Sequence, residues 1–240
     1  MITLETEVIH VEQGTDEWLA ERAGLFSGSN FHLCMERLKS GKNKGGWTSA
    51  AESEANKLAF ERACGGVLDD TGFQGAHARR GNALEPEARE EHAKAIDILE
   101  IEQCGIIRTV DRKFGVSVDG LIDDDGGSEY KCFTEASKVY EVLTASETDM
   151  VTAQVQGGML LSGRKWWHFG LYHPALKAIG RSINIIEIER DDEYIEELWE
   201  NMRLFDALIE EKKQAILGSV QQPLKYPAAP IFAAQPAIKF

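Results

Sequence analysis

Two acidic residues and one lysine on either side of a turn could form a site for metal-dependent hydrolysis. The turn sequence Asp123-Asp-Asp-Gly-Gly127 separates two β-rich runs and predicts a hairpin. Because side chains alternate along a strand, Glu129 and Lys131 should share one face, with Asp119 of the paired strand in reach. Carboxylate oxygens suit Mg²⁺, which polarises a phosphoryl oxygen and acidifies bound water. The trio is therefore typical of a nuclease site, and a polar hairpin with a solvated turn is the alternative interpretation.

The Glu-x-Lys spacing alone is a weak signal, because it recurs at Glu210–Lys212 and Glu211–Lys213. Those copies fall in a predicted helix, where residues two apart point in different directions and cannot converge on one ion. We interpret them as a solvated helix face. The motif at Glu129 is a candidate site because it falls on a predicted strand that follows Asp119.

The elements that must position these residues alternate between helices and strands. Apolar residues at three- and four-residue spacing predict helices, and β-branched runs predict strands. Pro86 should lie near the start of its helix, where a missing N–H costs least. Together they predict an α/β protein with a restriction-endonuclease-like core, a central mixed sheet of about five strands flanked by helices. The predicted helices cover about 16–23, 83–99, 148–162 and 195–216, and the strands about 104–110, 114–122, 128–133, 166–172 and 183–189.

The 240-residue length fits one domain, which we place at 1–217, followed by a proline-rich tail or arm at 218–240. Four of the six prolines lie after Gly218, and Ile231, Phe232 and Phe240 are apolar enough to dock on a neighbour. A tail without fixed structure is the alternative. No signal peptide and no apolar run of membrane-spanning length is expected.

Charge and cysteine content bound the partners and the compartment. The net charge of −14 argues against non-specific nucleic-acid binding, although a few basic residues in one channel can outweigh it locally. The four cysteines form no CxxC pair, which argues against a structural zinc site and a disulfide framework. A reducing cytoplasmic compartment follows as the simplest expectation.

Several motifs in a fixed order resemble the phage lambda exonuclease family, within the superfamily of restriction-endonuclease-like nucleases. The resemblance covers roughly residues 10 to 215. One such match would be weak, but five in order are specific. They are Glu12-Gln-Gly-Thr-Asp-Glu-Trp18 with Arg22 and Ser27-Gly-Ser29, Gly81-Asn-Ala-Leu-Glu85-Pro-Glu-Ala-Arg89, Ser117-Val-Asp119-Gly120 with Glu129-Tyr-Lys131-Cys132, Ala153-Gln154-Val-Gln156, and Ile188-Glu-Arg-Asp-Asp-Glu-Tyr194.

The resemblance implies a Mg²⁺-dependent exonuclease, with Mn²⁺ as a substitute. Such an enzyme digests one strand of linear double-stranded DNA processively from 5′ to 3′, releases mononucleotides and leaves a 3′ single strand. It also implies a ring-shaped homotrimer, a single-strand annealing protein as partner, and a phage or prophage protein acting in the bacterial cytoplasm. An endonuclease or junction resolvase of the same superfamily, or a catalytically silent DNA-binding recombination scaffold, are the alternatives.

Roles for single residues follow from the same resemblance. Asp119, Glu129 and Glu85 would hold metal together with the carbonyl of Tyr130, while Lys131 orients the attacking water and Gln154 supports it. The residues that would bind the 5′-terminal phosphate are Arg22, Ser29 and Ser117, with Trp18 near the same end. The fork of an arginine suits a terminal phosphate dianion better than a diester.

Each of these residues also has a plainer interpretation. Trp18 could be a core residue, and Arg22 could pair with Glu21 or another acid. Glu85 could be an acid favoured by the helix dipole, Gln154 a surface amide and Ser29 a helix cap.

One more feature, a glycine-rich loop between residues 37 and 47, is basic within an acidic chain. Its Lys39, Lys42 and Lys44 are expected to contact the DNA backbone, and a mobile surface loop is the alternative. Arg79 and Arg80 are similar candidates. Two positions depart from the family pattern, since Val118 precedes Asp119 and Gly157-Gly158 follows the second glutamine.

Overall fold

A computed structural model of the protein describes residues 2–68 and 76–219. The first sheet has the strand order β1-β3-β4-β2. Its members are antiparallel apart from β2, which runs parallel to β4. The strands are β1 (Thr6–Ile9), β2 (Phe26–Ser27), β3 (Ile106–Thr109) and β4 (Phe114–Val116).

The second sheet carries the predicted hairpin and has the order β5-β6-β7-β8. β5 and β6 are antiparallel, with Gly120 opposite Ser128 and Ile122 opposite Gly126, so the predicted hairpin is confirmed. β6 runs parallel to β7, and β7 pairs with β8 in antiparallel fashion. These strands are β5 (Gly120–Ile122), β6 (Gly126–Lys131), β7 (Trp166–Tyr172) and β8 (Ile183–Glu189).

The α/β fold class is confirmed, but the expectation of one sheet of about five strands is not met. The described residues form two sheets of four strands each. The run predicted as one strand over 114–122 is interrupted at 117–119, where the chain passes from β4 in the first sheet to β5 in the second. β1 and β2 are too short to show a repeating pattern, and only pairing with β3 and β4 identifies them.

Helices flank both sheets, and the four predicted helices are present. Three more were not predicted, α2, α3 and α5. The buried face of α3 consists largely of alanines, namely Ala51, Ala55 and Ala59 with Leu58, so its hydrophobic periodicity is weak. The helices are α1 (Asp16–Arg22), α2 (His32–Met35), α3 (Ser49–Cys64), α4 (Ala76–Ala95), α5 (Ala136–Ala145), α6 (Asp149–Ser162) and α7 (Asp192–Ser219).

The prediction for Pro86 is wrong, because α4 begins earlier than the hydrophobic pattern indicated. Pro86 lies in the interior of α4 and has no N–H to donate to the carbonyl of Asn82, four residues earlier. The disruption falls next to Glu85, where the helix passes the cavity described below. At the other end of the chain, α7 extends through Ser219, so the start of the predicted tail at residue 218 is helical. The rest of the tail lies outside the described residues.

Aromatic packing joins the helical layer to the first sheet. Phe205 of α7 packs against Phe26 at a ring separation of 4.6 Å and against Trp47 at 5.2 Å. A Cβ on Gly157 of α6 would lie 2.3 Å from the ring of Phe31, so only glycine allows α6 to approach this closely. The departure from the family pattern at Gly157 therefore has a packing reason. Among the described residues, no helix is long and apolar enough to cross a membrane.

Candidate active site

The hairpin brings the three side chains of the predicted trio to one place. Gly120 pairs with Ser128, and the same register sets Asp119 opposite Glu129. The main-chain N–H of Tyr130 donates to Asp119 Oδ2 at 2.7 Å, which fixes this carboxylate against β6. Lys131 Nζ donates to Glu129 Oε1 at 2.7 Å, so the two side chains share one face as expected.

Two helices deliver further polar groups from distant parts of the chain. From α6, Gln154 accepts a hydrogen bond from Lys131 Nζ through its Oε1 atom at 3.1 Å, so its side chain is not a free surface amide. From α4, Glu85 faces the hairpin, and Arg89 Nη2 donates to its Oε1 atom at 2.5 Å. Arg89 Nε also donates to the carbonyl of Asp119 at 2.9 Å. The glutamate is therefore more than a dipole-favoured acid at a helix start.

Burial is the largest single influence on the pKa values of this cluster, followed by the neighbouring charges. Burial raises the pKa of Asp119 well above its usual value, and the charges of Glu129 and Glu85 raise it further. Burial also raises the pKa of Glu85, against the opposing charge of Arg89. For Lys131, burial lowers the pKa, but Glu129 and Asp119 outweigh it and the net direction is upward. Lys131 is therefore an ammonium at neutral pH and stabilises negative charge rather than accepting a proton.

The donor set suits a hard divalent cation. Three carboxylates, from Asp119, Glu129 and Glu85, line one cavity, and Tyr130 lines it too. The Tyr130 hydroxyl is 2.8 Å from His92 Nδ1, which leaves only its carbonyl as a possible ligand. In the described part of the chain no group of three His, Cys, Asp or Glu side chains is arranged to hold an ion as it stands. Each of the three carboxylates accepts a hydrogen bond from a protein donor. Burial, followed by the charges of Glu129 and Glu85, raises the pKa of Asp119, and a bound cation would favour its charged form.

A second part of the cavity adjoins these carboxylates. It is formed by Trp18, Arg22, Ser29 and Ser117, and we call it the basic basin. Arg22 Nη2 donates to Ser27 Oγ at 2.9 Å, and Ser29 Oγ lies at 3.4 Å. The guanidinium lies over the ring of Trp18 at 5.0 Å, and Trp18 Nε1 donates to Ser117 Oγ at 2.8 Å. Within the described ranges Arg22 forms no salt bridge. Glu21 pairs instead with Arg108 of β3 and with Arg112 of the turn that follows it, and the acids whose charges act on Arg22 are Glu54 and Glu61. Burial lowers the pKa of Arg22, so a bound anion would favour its charged form.

The structure also tests the plainer interpretations of Trp18 as a core residue and Ser29 as a helix cap. Trp18 is 8% exposed and packs with Leu25 and Ile106, so it is a core residue that at the same time lines the cavity. Ser29 lies inside a 3₁₀ turn, Gly28–Asn30, and caps no helix. The three residues predicted to bind phosphate, Arg22, Ser29 and Ser117, all line this cavity.

The three carboxylates, Lys131 and the basic basin line a single cavity of about 670 Å³. The sequence assigned no role to several residues of its lining, although Gln13, Ser27 and Asn82 stand inside quoted motifs. No motif marks Phe133 or Lys138, which lie beyond the end of β6 and in the first turn of α5. These additional lining residues are Gln13, Ser27, Asn82, Phe133 and Lys138.

The basic loop between residues 37 and 47 is a short hairpin outside the cavity. Arg37 and Trp47 form its base as an isolated bridge, with the Arg37 guanidinium 3.5 Å from the ring centre of Trp47. Hydrogen bonds of 2.9 Å between Leu38 and the glycines Gly45 and Gly46 close it. The lysines at its tip are exposed and do not line the cavity; they are Lys39, Lys42 and Lys44. Their contact with DNA stays a prediction.

Of the two arginines ahead of Glu85, the side chain of Arg79 lies outside the described residues. Arg80 Nη1 donates to the carbonyl of Cys132 at 2.7 Å, immediately after Lys131. Arg164 Nη1 likewise donates to the carbonyls of Ile122, Asp123 and Gly126 at the hairpin turn. Half-buried arginines thus hold both ends of β6.

The fold and the site together define a nuclease-like α/β protein with a carboxylate-lysine centre. The family model for the YqaJ-like viral recombinase domain matches residues 17–165, and the chain belongs to this family. No curated protein matches the chain significantly.

Solved structures agree with this membership. The alkaline exonuclease LHK-Exo from Laribacter hongkongensis is 26% identical with a TM-score of 0.71, covering 85% of this chain and 97% of that one. The same values hold for LHK-Exo in complex with dAMP. A phage-related exonuclease from Haemophilus somnus 129PT is 16% identical with a TM-score of 0.57, covering 81% and 96%, which supports the fold alone. The predicted resemblance to exonucleases of the lambda type is confirmed, and the relatives support a nuclease of phage recombination.

Proposed function

We propose that the protein is a Mg²⁺-dependent exonuclease that degrades one strand of linear duplex DNA from its 5′ end. The observation that carries the proposal is the union of two sites in one cavity. A basin with an arginine free of salt bridges among the described residues borders three carboxylates and a lysine. A terminal phosphate in the basin would set the adjoining phosphodiester at the carboxylates. The alkaline exonuclease relatives support the same activity.

The proposed roles of these residues follow from their charges. Asp119, Glu129 and Glu85, with the Tyr130 carbonyl, would hold Mg²⁺. The chemistry that Mg²⁺ supplies when bound is polarisation of the phosphoryl oxygen and acidification of a water molecule. Lys131, held by Glu129 and Gln154, places its ammonium beside the reacting phosphate and orients the water. We also propose Mn²⁺ as a substitute, since it takes the same oxygen ligands.

The basin determines which end is chosen. Arg22 presents a guanidinium that favours a phosphate dianion over a diester, with hydroxyl donors from Ser29 and Ser117. Trp18 keeps that guanidinium in place through its ring. Beyond the cavity, the lysines of the basic hairpin would contact the duplex backbone. A ring-shaped homotrimer, a single-strand annealing partner and action in the host cytoplasm complete the proposal, and four free cysteines are consistent with a reducing compartment.

Digestion of linear duplexes labelled at the 5′ or the 3′ end, with Mg²⁺ or with EDTA, tests the proposal. We expect early release of the 5′ label as mononucleotide, only with metal, and no cutting of covalently closed circles. Lys131→Met should lower the single-turnover rate at least about 100-fold and leave duplex binding in place. Cutting of closed circles would indicate an endonuclease, and a folded protein that leaves all substrates intact would indicate a scaffold.

A further inference from the structure

Arg89 connects two parts of the metal site that no continuous element joins. Its Nη2 atom donates to Glu85 Oε1 at 2.5 Å within α4, and its Nε atom donates to the Asp119 carbonyl at 2.9 Å. With the Gln103 amide oxygen turned towards the guanidinium, Nη1 has a third acceptor at 2.5 Å. The Arg89 side chain is only 12% exposed, so this geometry is held by the fold.

The need for such a connection follows from the origin of the carboxylates. Glu85 comes from α4, whereas Asp119 lies in the connection between β4 and β5. Like charges buried side by side repel, and nothing in α4 itself sets their separation. A planar guanidinium that binds one carboxylate and the main chain of the other residue fixes that separation in a way a single ammonium cannot.

We propose that Arg89 is a positioning residue of the metal site, acting through Glu85 and the backbone of Asp119. The inference rests on the proposed metal-dependent function. It assigns Arg89 no contact with DNA or with the reacting atoms. Its bond to Glu85 Oε1 leaves Oε2 for a cation, and its bond to the Asp119 carbonyl anchors the residue that faces Glu129.

Binding of Mn²⁺ without DNA, measured by titration calorimetry, tests the role independently of activity. Arg89→Lys keeps the charge but loses the fork, and Arg89→Gln loses both. Since loss of a group that orients a metal ligand typically weakens metal affinity about 10- to 100-fold, we expect a shift of that size for Arg89→Gln and a smaller one for Arg89→Lys. The Mg²⁺ concentration for half-maximal rate should shift in parallel, while KM for DNA ends stays constant.

Two further variants separate positioning from a general loss of stability. Arg108 is also buried and binds two carboxylates, Glu7 and Glu21, but it lies in the first sheet. Arg108→Lys should lower the urea midpoint and leave Mn²⁺ affinity unchanged. If Arg89 acts through Glu85, then Arg89→Lys should weaken Mn²⁺ binding less in a Glu85→Gln background than in the wild type.

The outcomes distinguish this inference from the proposed function. Mn²⁺ affinity within about twofold of wild type in a folded Arg89→Gln or Arg89→Lys variant would overturn the role of Arg89 and leave the nuclease proposal standing. Weakened binding in these variants, together with a wild type that digests no DNA, would support the positioning role and refute the nuclease. If Arg89→Gln does not fold, Arg89→Lys decides. A wild type that binds no Mn²⁺ would refute both.

Discussion

Removing the Arg22 guanidinium should abolish the preference for phosphorylated 5′ ends. A hydrogen bond to a charged group contributes about 1.5–3 kcal/mol, and about 1.4 kcal/mol corresponds to a tenfold change. Loss of one such bond in Arg22→Gln should therefore slow digestion of phosphorylated ends about 10- to 150-fold. Ends that carry a 5′ hydroxyl should be affected much less, because they present no dianion to the basin.

The assay is the ratio of initial rates on matched duplexes with a 5′ phosphate and a 5′ hydroxyl. Arg22 also lies over Trp18, so the variant loses some stability. Both rates come from the same enzyme sample, and any loss of folded protein cancels from the ratio. Arg112→Gln removes the same charge from an exposed site outside the cavity and should keep the wild-type ratio. A wild-type ratio near one, or an unchanged ratio in Arg22→Gln, would refute the reasoning.

Three further predictions concern packing, titration and the DNA path. Gly157→Ala should lower the free energy of unfolding by about 1–3 kcal/mol in urea, because its Cβ meets the Phe31 ring, whereas Gly66→Ala has open space and should change little. Burial lowers the pKa of His92 to about 4, so its contribution is complete above pH 6.5 and falls as the pH drops towards 4. At pH 5 the loss should be about 2 kcal/mol by urea unfolding of the wild type and smaller in His92→Gln, where only His168 of this pair still titrates with a lowered pKa. Replacing the three lysines of the basic hairpin with alanine should weaken duplex binding and flatten its salt dependence in a filter-binding assay, and an unchanged slope would contradict contact with phosphates.

The hairpin trio could be predicted from the sequence because its geometry is local. A strong turn signal sets the register of β5 and β6, and strand alternation then places Glu129 and Lys131 on one face. Helix α7 could be predicted equally well from the sequence, since its apolar stripe repeats over many turns. Helix α3 could not be predicted in this way, because alanine contributes little to a hydrophobic pattern even when it is fully buried.

Motif order pointed to Glu85, Gln154 and Arg22, but only the tertiary structure brings them to one cavity. The distances that join α4 and α6 to the hairpin depend on packing between elements far apart in the chain, such as the fit of Gly157 against Phe31. The interruption at 117–119 likewise follows from two sheets that the local pattern does not separate. Pro86 is an interior residue because α4 begins at Ala76, before its hydrophobic pattern does. Local periodicity determines which face of an element is polar. Which faces meet is decided by side-chain volumes and buried charges that become neighbours only in the folded chain.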